Sequence, residues 1–183
     1  MGFGNSRIDE GLINDARIFY LNKALKASKS VCKIFYQKNN EKFSVTGFFM
    51  IINKDLKCLI SNYYIINKDL INKSINIKLY DKTQISIKLK NRFYKFYQYL
   101  DITIIEVKDS DFDKEISFLD YDPNYLRGYN NYVDKDLYTI QYPRENIEIA
   151  SGKIIEILYD KKIIFMNLNI IWLQIMVHQD HLL

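Results

Sequence analysis

Apolar and polar residues alternate strictly in two short stretches of this chain. Ile75, Ile77 and Leu79 are separated by Asn76 and Lys78, and Ile85, Ile87 and Leu89 by Ser86 and Lys88. A period of two puts alternate side chains on opposite faces of an extended strand, so each stretch predicts a strand with one face in a core and one in water. Asp81-Lys82-Thr83 between them has turn chemistry, and the pair reads as an antiparallel hairpin. Residues 45–67 carry a different signal, a continuous apolar run. Thr46-Gly47 opens it, and Phe48-Phe49-Met50-Ile51-Ile52 predicts a strand buried on both faces. Asn53-Lys54-Asp55 is a polar turn and Cys58-Leu59-Ile60 the return strand. Ser61-Asn62-Tyr63-Tyr64 then leads into a short helical turn.

Only one segment has helical spacing. Leu12, Ile13, Ala16, Phe19, Tyr20, Ala24 and Leu25 share one face of a helix over residues 12–27, with lysines opposite, and Ser28-Lys29-Ser30 ends it. Residues 1–10 form a polar lead-in, and residues 31–37 begin the strand series. Residues 93–99 are aromatic and basic. Leu100 to Val107 predicts another strand with Asp101 at its head. A polar, then Asn/Tyr-rich stretch runs from Lys108 to Tyr132 and reads as a linker. Leu137 to Gln141 is a strand, Tyr142-Pro143-Arg144-Glu145-Asn146 a turn, and Ile147 to Leu158 a long strand containing Gly152. A parallel βαβ sheet would need helical patterns between its strands. Many short strands with one helix favour an all-β barrel or sandwich.

Composition narrows this picture little. At 183 residues, 48% of them hydrophobic, the chain can build one domain or two small barrels. The abundance of Ile, Asn, Lys and Tyr is what an AT-rich genome would encode. A net charge of +4 with interleaved signs does not call for a polyanionic partner. Cys32 and Cys58 are the only cysteines. On neighbouring strands they could pair, but buried free thiols are the expectation. No apolar run reaches the roughly 20 residues of a membrane span, and no secretory signal is visible, so an intracellular, cytoplasmic location is expected.

The motifs resemble the first barrel of a trypsin-like serine peptidase. Thr46-Gly47-Phe48-Phe49, the hairpin, and the apolar strand ending in Ser61-Asn62-Tyr63-Tyr64-Ile65-Ile66 are similar to a family pattern. That pattern is Gly-Phe-Phe, a hairpin, and a strand ending in Thr/Ser-Asn-x-His-Val-Ile. The resemblance implies a double β-barrel. Residues 1–30 would be lead-in and helix, 31–110 a complete first barrel, 111–136 the linker and 137–165 an incomplete second barrel. It also implies a triad: a serine attacks, an imidazole takes its proton, and a carboxylate orients the imidazole. Leu100-Asp101-Ile102-Thr103-Ile104 matches the carboxylate segment, with Asp101 in that role. The position of the general-base histidine holds Tyr64. A phenol, with pKa near 10, is a poor proton acceptor at neutral pH, although it could donate to Asp101 in the imidazole's place. No histidine precedes His178.

The nucleophile is missing too. Gln141-Tyr142-Pro143 and Ser151-Gly152-Lys153-Ile154-Ile155 resemble second-barrel elements, with Gln141 where the family has glycine. The expected Thr-x-x-Gly-Ser-Ser-Gly-Ser-Pro loop, whose last serine attacks and whose glycines open an oxyanion hole, does not follow. The chain reads Leu173-Gln174-Ile175-Met176-Val177-His178-Gln179-Asp180-His181-Leu182 instead. Taking the last base of each codon with the first two of the next, Met176–Val177 forces glycine. The neighbouring codons permit Thr-(Asn/Asp)-Asn-Gly-Ser-Ser-Gly-Ser-Pro. A one-base slip upstream, at the A-rich codons of Lys161-Lys162, would explain the tail, making residues from about Phe165 onward an out-of-frame segment (166–183). His178 and His181 then carry no catalytic or metal meaning.

The remaining candidates have plainer readings. Asn91 to Tyr99 could stack single-stranded nucleic acid, but an edge strand covering the barrel is expected, with no nucleic-acid partner. Asp109-Ser110-Asp111-Phe112-Asp113 lacks the glycine and distal glutamate of a calcium loop and reads as a solvated acidic loop. No cofactor, metal or membrane is implied, and the expected partner is a protein or peptide. Three readings follow. The chain is a damaged or misread serine peptidase homologue, inactive as written. Or it is a pseudopeptidase that binds peptides through the old cleft. Or it is an unrelated all-β interaction domain in which Asp101 and Tyr64 have no such roles.

Overall fold

The computed structural model describes residues 22–38, 41–52, 56–120, 132–134 and 136–153. The lead-in, the helix before residue 22, the turn at 53–55, the linker over 121–131 and everything from residue 154 on, His178 and His181 included, lie outside the described residues. Residues 22–28 are helical (α1), with Ala24 buried. The helix stops where the serines predict. The Ser28 hydroxyl donates to Leu25 O at 2.8 Å, and the Ser30 amide to Ala27 O at 3.0 Å.

Among the described residues nine strands follow: β1 (Val31–Lys38), β2 (Glu41–Ile52), β3 (Leu56–Ser61), β4 (Ser74–Lys78), β5 (Gln84–Lys88), β6 (Tyr94–Tyr97), β7 (Ile102–Glu106), β8 (Asp136–Gln141) and β9 (Glu148–Lys153). The alternating stretches are β4 and β5, paired antiparallel with Ile75 opposite Ile87. Ile75, Ile77 and Ile87 are buried while Asn76 and Ser86 face solvent. Their turn is closed by the Thr83 amide donating to the Asp81 carboxylate at 3.1 Å, with Lys82 at φ 71°.

Seven strands form one antiparallel sheet in the order β5-β4-β1-β2-β3-β7-β6. The sheet curls into a half-barrel. Residues near both of its ends, Ile75 and Ile87 on one side and Ile105 and Val107 on the other, share a single buried cluster with Cys32, Ile34, Phe49 and Leu59. The sequence predicts a complete first barrel here; among the described residues the sheet is a half-barrel with β5 and β6 at its two edges. Over the described residues the fold is all-β with one α-helix, a curled seven-stranded sheet and a small two-stranded one.

β2 is longer than the apolar run suggests. It starts at Glu41, so Gly47 lies in the middle of the strand instead of opening it. Its polar first half pairs with β1 over Glu41–Phe48, and its apolar second half with β3 over Phe48–Ile52. Where β1 leaves, Leu119 takes its place. Its amide donates to Phe49 O at 2.9 Å and its carbonyl accepts from the Ile51 amide at 3.0 Å. At this crossing Gly47 is needed for space. A Cβ there would lie 2.6 Å from Ile34 Cδ1 and 3.1 Å from Leu59 Cδ1, both inside the core.

The cysteines are free and buried, but not on neighbouring strands. β2 runs between them. Cys32 belongs to the inner cluster, whereas Cys58 belongs to a second cluster with Met50, Ile60 and Ile104. Alternation along the strands sends the two thiols to opposite faces of the sheet.

β8 and β9 form their own antiparallel sheet around the Tyr142–Asn146 turn. The hairpin packs Ile140 and Tyr142 against Val31, with Ala27 and Phe48 beside them. The Tyr142 amide donates to Thr46 Oγ1 at 2.8 Å. Lys33, buried, donates to Arg144 O at 2.6 Å and to Glu145 Oε1 at 2.9 Å. Among the described residues no helix is long and apolar enough to cross a membrane.

Candidate functional site

The ladder between β3 and β7 brings the two halves of the candidate site together. Ser61 pairs with Thr103, so the chain leaving β3 and the chain entering β7 emerge side by side. Asp101 precedes β7 in a left-handed conformation, φ 51° and ψ 40°, which a short polar side chain tolerates better than most. Its backbone and side chain then hold the departing segment. The Tyr63 amide donates to Asp101 O at 3.1 Å. The Tyr64 amide donates to Asp101 Oδ1 and Asn62 Nδ2 to Asp101 Oδ2, each at 2.8 Å.

The turn itself is built from below. The Ile66 amide donates to Asn62 O at 3.0 Å, and buried Thr103 donates from Oγ1 to Ile66 O at 2.6 Å. Ile65 and Ile66 anchor it in the inner core. Burial of this apolar pair, 2% and 1% exposed, draws the chain down into the core at this point.

Asp101 and Tyr64 are therefore neighbours. The contact differs from the one the sequence suggests, because the donor is the backbone amide of Tyr64, not its phenol. Tyr64 as a residue is 54% exposed. The sequence pattern does not single out Asn62 as a partner of Asp101. The available signal was a side-chain amide one residue past the end of an apolar strand, which is too common to identify it.

Chemically, the arrangement is a carboxylate held by N–H donors on both oxygens. Among the described residues there is no histidine, and so no imidazole beside Asp101. The Ser61 hydroxyl, 6% exposed as a residue, is engaged with Thr46 O at 3.2 Å. Neither thiol offers a nucleophile. Burial pushes the Cys32 thiol up, and burial, then the Glu106 charge, push Cys58 up to about 12, so both stay protonated and unreactive at neutral pH.

The other candidate segments resolve differently. The aromatic–basic segment contains β6, an edge strand as expected. Phe96 packs edge-on against Tyr63 at 5.6 Å between ring centroids, while Tyr99 is almost fully exposed. The acidic loop is not simply solvated. Asp109 binds Lys57, and Asp111 is buried in a bidentate pair with Arg92. A depression of about 410 Å³ lined by Lys57, Asp109, Phe112, Lys114 and Phe118 includes neither Asp101 nor Tyr64. Compared with known proteins, the chain matches no family model and no curated protein.

Proposed function

We propose that this chain is a homologue of the trypsin-like serine endopeptidases that does not hydrolyse peptides as written. The observation carrying the reading is the junction of two motifs 37 residues apart. The Asp101 carboxylate accepts the amide of Tyr64, the residue in the general-base position, at 2.8 Å. A side chain at 64 leaves the backbone beside a carboxylate whose two oxygens are already oriented. An imidazole there would have its tautomer set by Asp101. Tyr64 supplies a phenol instead, and no serine in the shape of the family's nucleophile loop follows Lys153 in the chain. With two of three triad members missing, most of the rate enhancement is lost.

A second reading, peptide binding without cleavage, is favoured by the exposure of Tyr64 (54%), whose amide bonds Asp101, and of Tyr99 (95%), in the 3-10 turn that Asp101 caps. Aromatic rings of that kind supply contact area at little entropic cost.

Sequencing the gene and its transcript from the codon of Gly152 past that of Leu183 is the first test. A one-base difference restoring Gly-Ser-Ser-Gly-Ser-Pro supports the peptidase lineage. The second test is hydrolysis of an unstructured protein by the frame-corrected chain carrying Tyr64→His. Activity that disappears with Asp101→Asn supports the assigned roles. An unchanged gene sequence, together with no gain of hydrolysis, leaves binding of a peptide or protein partner as the remaining reading.

A further inference from the structure

The curled sheet has two edges, β5 and β6, and the short connection between them carries Arg92. Its Nε donates to Lys88 O, at the end of β5, at 2.5 Å. Its Nη1 donates to Glu106 O, at the end of β7, at 3.3 Å, and to Asp111 Oδ2 at 2.6 Å. Its Nη2 donates to Asp111 Oδ1 at 2.5 Å. The two side chains are 7% and 9% exposed.

Asp111 is itself fixed by a turn of 3-10 helix. The Lys108 amide donates to its Oδ2 at 2.7 Å, and its own amide to Lys108 O at 2.9 Å. Phe93, next to Arg92, is tied to the end of β7 in both directions. Its carbonyl accepts the Glu106 amide and its amide donates to the Glu106 carboxylate, both at 2.9 Å. Beneath this layer Ile85, Ile87, Val107 and Phe112 pack on the inner core.

We infer that Arg92 and Asp111 form a clasp that closes the half-barrel between β5 and β7 where no ladder does, and that breaking it opens this side of the sheet while the rest stays folded. The planar guanidinium carries five N–H donors in a fixed fork, which is how one side chain serves two carbonyls and a bidentate carboxylate. A lysine cannot cover that set. Removing either partner leaves the other charge buried and unpaired, a strongly unfavourable change confined to this contact. The inference is independent of the peptidase reading.

Hydrogen exchange on the full chain tests it, with Arg92→Lys, Arg92→Met and Asp111→Asn beside the parent. The expected result is exchange about tenfold faster or more at ladder amides of β4–β5 and β6–β7, with the β1–β2 ladder changed by less than about twofold, the signature of a local opening. Unchanged exchange on both sides of the sheet overturns the clasp. So does a rise of equal proportion in β1–β2, which would mean the pair only adds to global stability. If Arg92→Met does not fold, Arg92→Lys and Asp111→Asn carry the same readout.

Discussion

The carboxylate of Asp101 and the backbone amide of Tyr64 lie 2.8 Å apart, the Oδ1 atom accepting the amide proton. Because the donor is main chain, the bond is indifferent to the side chain at 64 and wholly dependent on the one at 101. Asp101→Ala leaves the Tyr64 amide and the Asn62 side chain without their acceptor. It should destabilise the fold by about 1–3 kcal/mol. Tyr64→Ala should cost under about 1 kcal/mol, since its ring is half in solvent. Urea unfolding of both variants reads the contrast. Equal losses would place the work in the phenol instead.

Gly47 makes a second, steric prediction. Any Cβ must push on Ile34 and Leu59, both fully buried, so one of these side chains has to shift within the core. Gly47→Ala should destabilise by about 1–3 kcal/mol, the usual range for overpacking a filled core. Gly152, where a Cβ would meet nothing within 4 Å, is the control, and its alanine variant should unfold close to the parent's midpoint.

Glu145 couples the small hairpin to the large sheet. Lys33 and Lys78 stand directly opposite each other on β1 and β4, a repulsive arrangement, and Glu145 bonds both. The hydrogen bond from Lys33 is the largest influence holding its carboxyl below the ordinary 4.5, followed by the Lys33 charge and the bond from Lys78. A depressed carboxyl stabilises the folded state above its unfolded value and loses that contribution as pH falls through the folded one. Docking of the hairpin should therefore weaken as pH drops below about 4.5. Exchange of the Tyr142 amide, which donates to Thr46 Oγ1, measures it. Glu145→Gln should remove the pH dependence and loosen the hairpin at neutral pH.

The thiols give a simple reactivity test. Cys32 and Cys58 are both at 0% exposure, and their raised pKa values keep them as thiols. A maleimide should label neither in the folded chain at pH 7 and both after denaturation. Labelling of Cys58 at native conditions would show that the outer cluster opens.

Much of this architecture is legible in the chain. The alternation of Ile75, Ile77, Ile85 and Ile87 specifies both strands and which face is buried, because a period of two leaves the polar residues nowhere else to go. The serines after Ala27 and the turn at Tyr142–Asn146 work through local backbone chemistry, so they too can be read without the fold. Asp101 and Tyr64 could be singled out only by resemblance to a motif, and their contact comes from the β3–β7 register.

What tertiary structure alone decided is where segments distant in sequence meet. Glu41 to Ser44 extend β2 along β1, with Phe43 stacked on Tyr36 of that strand. Cys32 and Cys58 face opposite sides of the sheet because the register pairs them with Gly47 and Met50, an odd number of residues apart on β2. Asp111, in a segment rich in aspartates, is buried because Arg92 lies within reach. Local periodicity constrains which face of an element is apolar. It carries no information about which elements become neighbours, and in a sheet of non-local pairings that is what selects the partner of each charge and each bond at the site.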